Sequence, residues 1–371
     1  MRAFAAVPGR VADWDRLSAG GPMFATPEWL DAMRGRVPGA AYTFALREAG
    51  ETRLALYGTV LDREATGEIF DLPYILAGDP RVFPLSEASR AARATWRVPP
   101  AQSWYPNLVV MLPGYECHAL GPLAADTGAL SELVGAIVAW AKERDLRAVA
   151  FLYTPPGAAA LRRALPGHGF TRVPLSYSCE LPLPGAGFDD YLAALPRKQR
   201  TETRRELRVL AAAGVRVRAV PVADVPEDVV TLKCAHSAKY NGRPADRAKV
   251  RARLEGLCAL RDPLLFRAEL DGTLVGYGLF ARYGDVWYCV STGMDYARAE
   301  SRNAYFATVF YEPVRLAPEA GVRRVHYGQA TWRAKMSRGC EAVEMPGWVR
   351  AEDPALARVV ADSAGTTVPA F

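Results

Sequence analysis

Four arginines, Arg197, Arg200, Arg204 and Arg208, fall at i, i+3, i+7 and i+11 within LAALPRKQRTETRRELRVLAAAGVRVR (192–218). On a helix that spacing makes one cationic face, and Lys198 adds to it near the start. Leu207, Leu210 and Ala211 would then turn toward a core. Gly214 stops the helix, and VRVRAV alternates as a strand does. Such a face suits a polyanion or a phosphate-rich donor; the competing reading is a solvated helix.

Further candidates cluster in the second half. Lys335 and Arg338, in AKMSRG, are placed to meet phosphate or a developing oxyanion, or are surface cations. His326 is a candidate general base or a hydrogen-bonded core histidine. Asp295, in TGMDY, could hold an acceptor ammonium or cap a turn. His236, Lys239 and Tyr240 lie at a helix exit, CAHSAKYNGRP, that could line a substrate cleft. Tyr305 pairs with Phe306 in a core position. In the first half, Asp71 and Tyr74 of FDLPYILAGDP are candidate acceptor contacts. The chemistry these residues fit is attack of an amine on an activated acyl carbon, helped by alignment and oxyanion stabilisation. No G-x-S-x-G elbow and no Cys–His–Asp arrangement point to a covalent nucleophile.

These residues need a scaffold, and the chain carries the same order of elements twice. LALYGTV (54–60) matches LVGYGLF (274–280), each as the second strand of a hairpin. DLRAVAFL (145–152) aligns with GVRRVHYG (321–328), each after an apolar helix and before a short basic helix ending in glycine. Hairpin, helix, strand, helix, strand is a mixed α/β order, and its recurrence indicates duplication. The expected domains are 1–185, with an insertion near 81–125, and 186–371, with the boundary near 182–190 where Pro and Gly cluster. The stretch from about Ala351 is expected to be peripheral.

With 371 residues, half of them apolar, the chain can bury ample core in about two domains. The net charge of +6 is modest, so the arginine helix is a local concentration. No leader-like start and no run of eighteen apolar residues occurs, which leads us to expect a soluble, cytoplasmic protein. The six cysteines are scattered without metal spacing, so no metal is expected.

LPRKQRTETRREL…AAGVRV resembles the signature of the Fem-type aminoacyltransferases. LFRAELDGTLVGYGLFARYGDVWYCVSTGMD, NAYFATVFYEPVRLAPEAGVRRVHYGQ and AKMSRGC continue the likeness over about 188–348. FATPEWLDAM is a weaker match to the start of tandem proteins of this group, which includes the cellulose-biosynthesis-like acetyltransferases. The resemblance implies two tandem GNAT-like domains, each a mixed, mostly antiparallel sheet flanked by helices. It implies that Lys335, in the family's Lys-x-x-x-Gly region, belongs to donor binding, and that Tyr305 and Phe306 match an aromatic pair near the acyl site. Thr203 departs from the large aliphatic residue usual in the family's basic helix, and there is no room for the long helical hairpin of some members. An acyl-CoA enzyme of this fold normally carries Arg/Gln-x-x-Gly-x-Gly/Ala, whose amides hold the pyrophosphate. STGMDYARAESRNAYF has no glycine after Gly293, and CHALGPLA is interrupted by Pro122. The expected donor is therefore aminoacyl-tRNA, with no cofactor, and the acceptor an amine-bearing small molecule or peptide in cell-wall or natural-product assembly. The alternatives are an acyl-CoA-dependent N-acetyltransferase and a non-catalytic module binding tRNA or a carrier.

Overall fold

The computed structural model describes residues 2–366, except 66–67, 79–84, 115, 184, 186 and 299–300. Parts of the expected insertion and of the Pro/Gly boundary therefore lie outside the described residues. The strands are β1 (Ala3–Pro8), β2 (Ala40–Glu48), β3 (Glu51–Leu61), β4 (Asn107–Val110), β5 (Ala148–Phe151), β6 (Thr171–Pro182), β7 (Arg216–Pro221), β8 (Leu264–Leu270), β9 (Thr273–Tyr283), β10 (Val286–Met294), β11 (Arg324–Gly328) and β12 (Glu341–Ala351).

The chain forms two units, Met1–Tyr177 with Val343–Phe371, and Ser178–Ala342. Within the first, the strand order is β1-β2-β3-β4-β5-β12, antiparallel except for β4–β5. Within the second it is β7-β8-β9-β10-β11-β6, antiparallel except for β10–β11. The same pattern thus occurs twice, a mixed and mostly antiparallel sheet each time, as expected for a tandem duplication. Both hairpins close on a two-residue left-handed turn, Ala49-Gly50 and Asp271-Gly272.

The last strand of each unit differs from what a single cut near 182–190 would give. The chain leaves the first unit inside β6 and returns to it inside β12, so residues 343–371 complete the first unit. There the helix Pro354–Ala364, capped by Asp353, buries Leu356, Val359 and Val360 in the core. This corrects the peripheral reading of that stretch; the 3- and 4-residue spacing of its apolar side chains makes a core-facing stripe.

In the first unit the helix Thr127–Lys142 starts at Asp126, whose carboxylate accepts from the Gly128 and Ala129 amides. Leu130, Leu133, Val134, Ile137 and Trp140 bury its apolar face. The matching helix of the second unit runs from Ser301 to Leu316 through a π-helical turn at Ala307–Tyr311. Tyr327 Oη donates to the Val309 carbonyl in that turn at 2.9 Å. A Cβ on Gly278 would come within 2.7 Å of the Thr308 carbonyl, so only glycine lets this helix lie so close to β9. Among the described residues no helix is long and apolar enough to cross a membrane.

Candidate active site in the second unit

The parallel strands behave differently in the two units. In the first, β4 and β5 stay paired through Val110↔Phe151, and the Leu152 and Cys117 amides go on to the Val110 and Tyr153 carbonyls. In the second, β10 and β11 pair only at Val286↔Arg324, Trp287↔Val325 and Tyr288↔His326. Beyond that point β10 bulges between Cys289 and Ser291 and continues along β9 to Met294. β11 instead ends in a left-handed turn, with φ of +64° at Gly328, +63° at Ala330 and +47° at Thr331. Two non-glycine residues in that region mark strain of the kind found at functional sites. The result is a wedge between diverging strands.

Lys335 anchors one side of this wedge. Its ammonium is 5% exposed and donates to the Tyr327, Gly328 and Gln329 carbonyls at 2.8, 3.0 and 2.6 Å. All three of its protons are thereby committed to the carbonyls at the end of β11. Burial lowers its pKa, and the nearby Cys179, Cys289 and Cys340 thiols oppose that shift. Burial in turn raises all three thiols, Cys289 to about 12, so none supplies a thiolate nucleophile at neutral pH. The ammonium holds the turn; it does not present a free cation to a ligand, which corrects the phosphate or oxyanion role read from sequence.

Arg338 is corrected for a similar reason. Its guanidinium is buried, pairs with Glu206 at 2.7 Å and lies 3.9 Å over the Phe306 ring. Tyr311 Oη donates to the same Glu206 carboxylate, and Tyr191 Oη to the Arg338 carbonyl at 3.0 Å. This cluster docks the inner face of the basic helix, Arg197–Ala212, whose buried residues are Thr203, Glu206 and Leu210. Leu207 is half-buried and Ala211 exposed, so the inward stripe is shifted from the expected one and carries a charge.

The outer face of that helix keeps its cations. Arg197, Lys198, Arg204 and Arg208 are exposed and Arg200 is half-buried. Arg205 pairs with Glu202 at 2.6 Å, but among the described residues no carboxylate pairs with the other five. The helix also starts at Pro196 with no capping side chain and no acid in its first turn. Cations therefore crowd the positive end of the helix dipole, an arrangement that an arriving anion would relieve.

The remaining candidates divide. Asp295 pairs with Arg298 at 3.2 Å and accepts from the Ala297 amide, so it caps the turn after β10 and is not free for an ammonium. His326, 6% exposed, sits at the last paired position of the parallel strands, with Nε2 3.1 Å from Ser178 Oγ and its ring against Tyr288. That is the hydrogen-bonded core arrangement. Tyr305 is half-buried, with its ring centre 5.3 Å from that of Phe306 and 6.2 Å from that of Phe310. Asp71 belongs to the first unit, where it is buried and takes a hydrogen bond from Tyr105; Tyr74 is half-buried on the same short helix.

His236, Lys239 and Tyr240 do come together on the Glu227–Asn241 helix, around Tyr296, which sequence reasoning did not single out. Tyr296 Oη is 2.8 Å from His236 Nδ1, and Lys239 Nζ is 3.5 Å from the centre of the Tyr296 ring. Lys233 ties the helix to β10 by donating to the Thr292 carbonyl at 3.2 Å. Burial, with Lys233 and Lys239 beside it, lowers the His236 pKa to about 3, so the ring is neutral. The signal for Tyr296 was its place next to Asp295 at the end of β10.

The segment nearest to a phosphate loop in the first unit is tied down. The Leu120, Leu123 and Ala124 amides donate to the Ala55, Arg53 and Gly121 carbonyls at 2.9, 3.1 and 3.0 Å. Those amides are not available to a pyrophosphate.

Residues 92–366 match the FemAB-like family, described as peptidoglycan biosynthesis/recognition. The chain belongs to the FemAB-like family. It is a Fem-type protein, of a family tied to peptidoglycan biosynthesis or recognition. The crystal structure of FemX is similar, with 11% identity, a TM-score of 0.59, and coverage of 95% of this chain and 99% of that one. A conserved protein of unknown function from Bacteroides thetaiotaomicron is 12% identical with a TM-score of 0.53, over 94% of this chain and 99% of that one. At these identities the likeness is one of fold. No curated protein matches the sequence.

Proposed function

We propose that the second unit of this Fem-type protein moves an aminoacyl group from aminoacyl-tRNA to an amine, forming an amide. The carrying observation is the arginine face of Arg197–Ala212, which has no carboxylate partners among the described residues and begins at the positive end of its own helix. In the reaction the amine nitrogen attacks the ester carbonyl carbon. The new C–N bond forms, the bond to the ribose oxygen breaks, that oxygen takes a proton, and the ammonium proton is lost to solvent. Beyond Tyr288 the main chain of β10 has β9 as a ladder partner but not β11, and main-chain amides at such an opening are the type of donor an oxyanion needs.

An aminoacyl ester is already activated, so alignment of the two partners supplies much of the acceleration. Around the wedge the thiols are protonated, Asp295 is paired and His236 is a very weak base. The amine acceptor therefore has to arrive already deprotonated. The test is transfer of a labelled amino acid from charged tRNA into a base-stable amide with a panel of amines, including cell-wall precursor peptides. The rate should rise with pH up to the acceptor's own pKa, about 8 for an α-amine. Acyl transfer from acetyl-CoA in its place, or no amide with any donor, would overturn the proposal.

A further inference from the structure

We propose that Tyr240, backed by His236, Tyr296 and Lys239, is a stacking platform for the unpaired base at the 3′ end of the RNA donor. The inference rests on the tRNA-dependent reading above and adds to it the place where the donor's end is held.

Tyr240 is 48% exposed, and among the described residues the other exposed large apolar side chains are the aliphatic Val98 and Val209. An aromatic ring left in water at a helix end is a binding feature in waiting. This ring is also held in place. His236 lies against it at 4.7 Å between centres and 44° between planes, and Tyr296 meets it edge-on at 6.4 Å and 72°. The Tyr296–His236 hydrogen bond and the Lys239 ammonium over Tyr296 fix the backing. Preorganisation of this kind lowers the entropy lost when a flat ligand stacks.

The surroundings favour a base that carries phosphate. Lys239 and Arg243 are exposed cations one residue before and three residues after Tyr240 in the chain, and Gly242, with φ of +67°, ends the helix between them. Base stacking on an aromatic ring flanked by cations is how single-stranded nucleic acid is held without sequence readout. The platform is tied to the wedge strand itself, because Tyr296 lies two residues past the end of β10 and Lys233, on the platform helix, donates to the Thr292 carbonyl of β10 at 3.2 Å. A base on Tyr240 would thus leave its ribose, and the ester on it, near the mouth of the diverging strands.

The same chemistry could serve a free mononucleotide, and the experiment separates the two sources. A fluorescent RNA hairpin with a four-nucleotide single-stranded 3′ tail is titrated against the full-length protein, as is the same RNA lacking only its terminal base. AMP is titrated in parallel. Wild type should bind the intact RNA about ten-fold more tightly than the abasic one. Tyr240→Ala should bind both alike, and Tyr240→Phe should restore the preference. Equal binding of both RNAs by wild type overturns the platform while leaving the donor reading intact. Tyr240-dependent binding of AMP without any preference between the RNAs assigns the ring to a free nucleotide and overturns the RNA assignment. Failure to bind either RNA overturns the donor reading and the platform with it.

Discussion

Replacing Lys335 by methionine should unsettle the fold of the second unit before it affects any chemical step. The ammonium supplies three hydrogen bonds, at 2.8, 3.0 and 2.6 Å, to consecutive carbonyls at the end of β11. Methionine keeps most of the apolar stem and removes all three donors. A buried carbonyl left without a donor costs about 1 kcal/mol or more, which makes the gross loss about 3 kcal/mol. Relief of the buried charge offsets part of this, as the lowered pKa of Lys335 implies. Loss of restraint on the left-handed Ala330 and Thr331 adds to the destabilisation. The net effect should be about 2–3 kcal/mol, a fall in Tm of roughly 5–10 °C. Thermal unfolding followed by circular dichroism reads the stability, and amide formation on the same samples reads the activity. A Lys335→Met protein as stable as wild type but unable to transfer would refute the reasoning, because the ammonium would then be acting on substrate.

Two further outcomes follow from buried groups. Glu206→Gln or Arg338→Met alone should each cost about 3–5 kcal/mol, since each strands a buried charge or its partner. The double variant should cost clearly less than the sum, which a denaturant-based double-mutant cycle will measure. His236 should make stability sensitive to acid. The unfolded histidine takes its proton near 6.5, whereas the folded one stays neutral down to about 3. Between those values the unfolded chain holds more protons, so stability falls as pH drops, by at most about 1.4 kcal/mol per unit. Denaturation midpoints of wild type and His236→Gln should therefore converge as pH falls from 6.5, and parallel curves would rule out the assigned neutral state.

Much of this was legible in the chain. The arginine face was readable because exposed residues follow helical spacing without interference from packing. The duplication was readable because each half repeats a hairpin, a helix and a strand. The exchange of β6 and β12 between units was not, since alternation identifies a strand but not its neighbour. Lys335 and Arg338 read as accessible cations, for phosphate, an oxyanion or solvent, because a short basic segment has an exposed pattern. Their burial comes from the turn at Ala330 and Thr331, which uses left-handed geometry at residues that do not announce it. The burial of Glu206 was not legible either, because its partners, Tyr311 and Arg338, are distant in sequence. Tyr296 was missed because it meets His236 and Lys239 only through tertiary packing.

The most direct test of the central claim is the salt dependence of tRNA binding by wild type and by a variant with Arg197, Arg200, Arg204 and Arg208 all changed to Gln. Wild type should bind with a steep negative slope of log affinity against log salt, and the variant should lose about 0.7–0.9 of slope for each arginine that meets a phosphate. Both proteins should remain folded, since among the described residues none of the four arginines is held in an ion pair. Identical slopes for the two proteins would contradict the account, because the arginine face would then be a solvated surface and the donor would lie elsewhere.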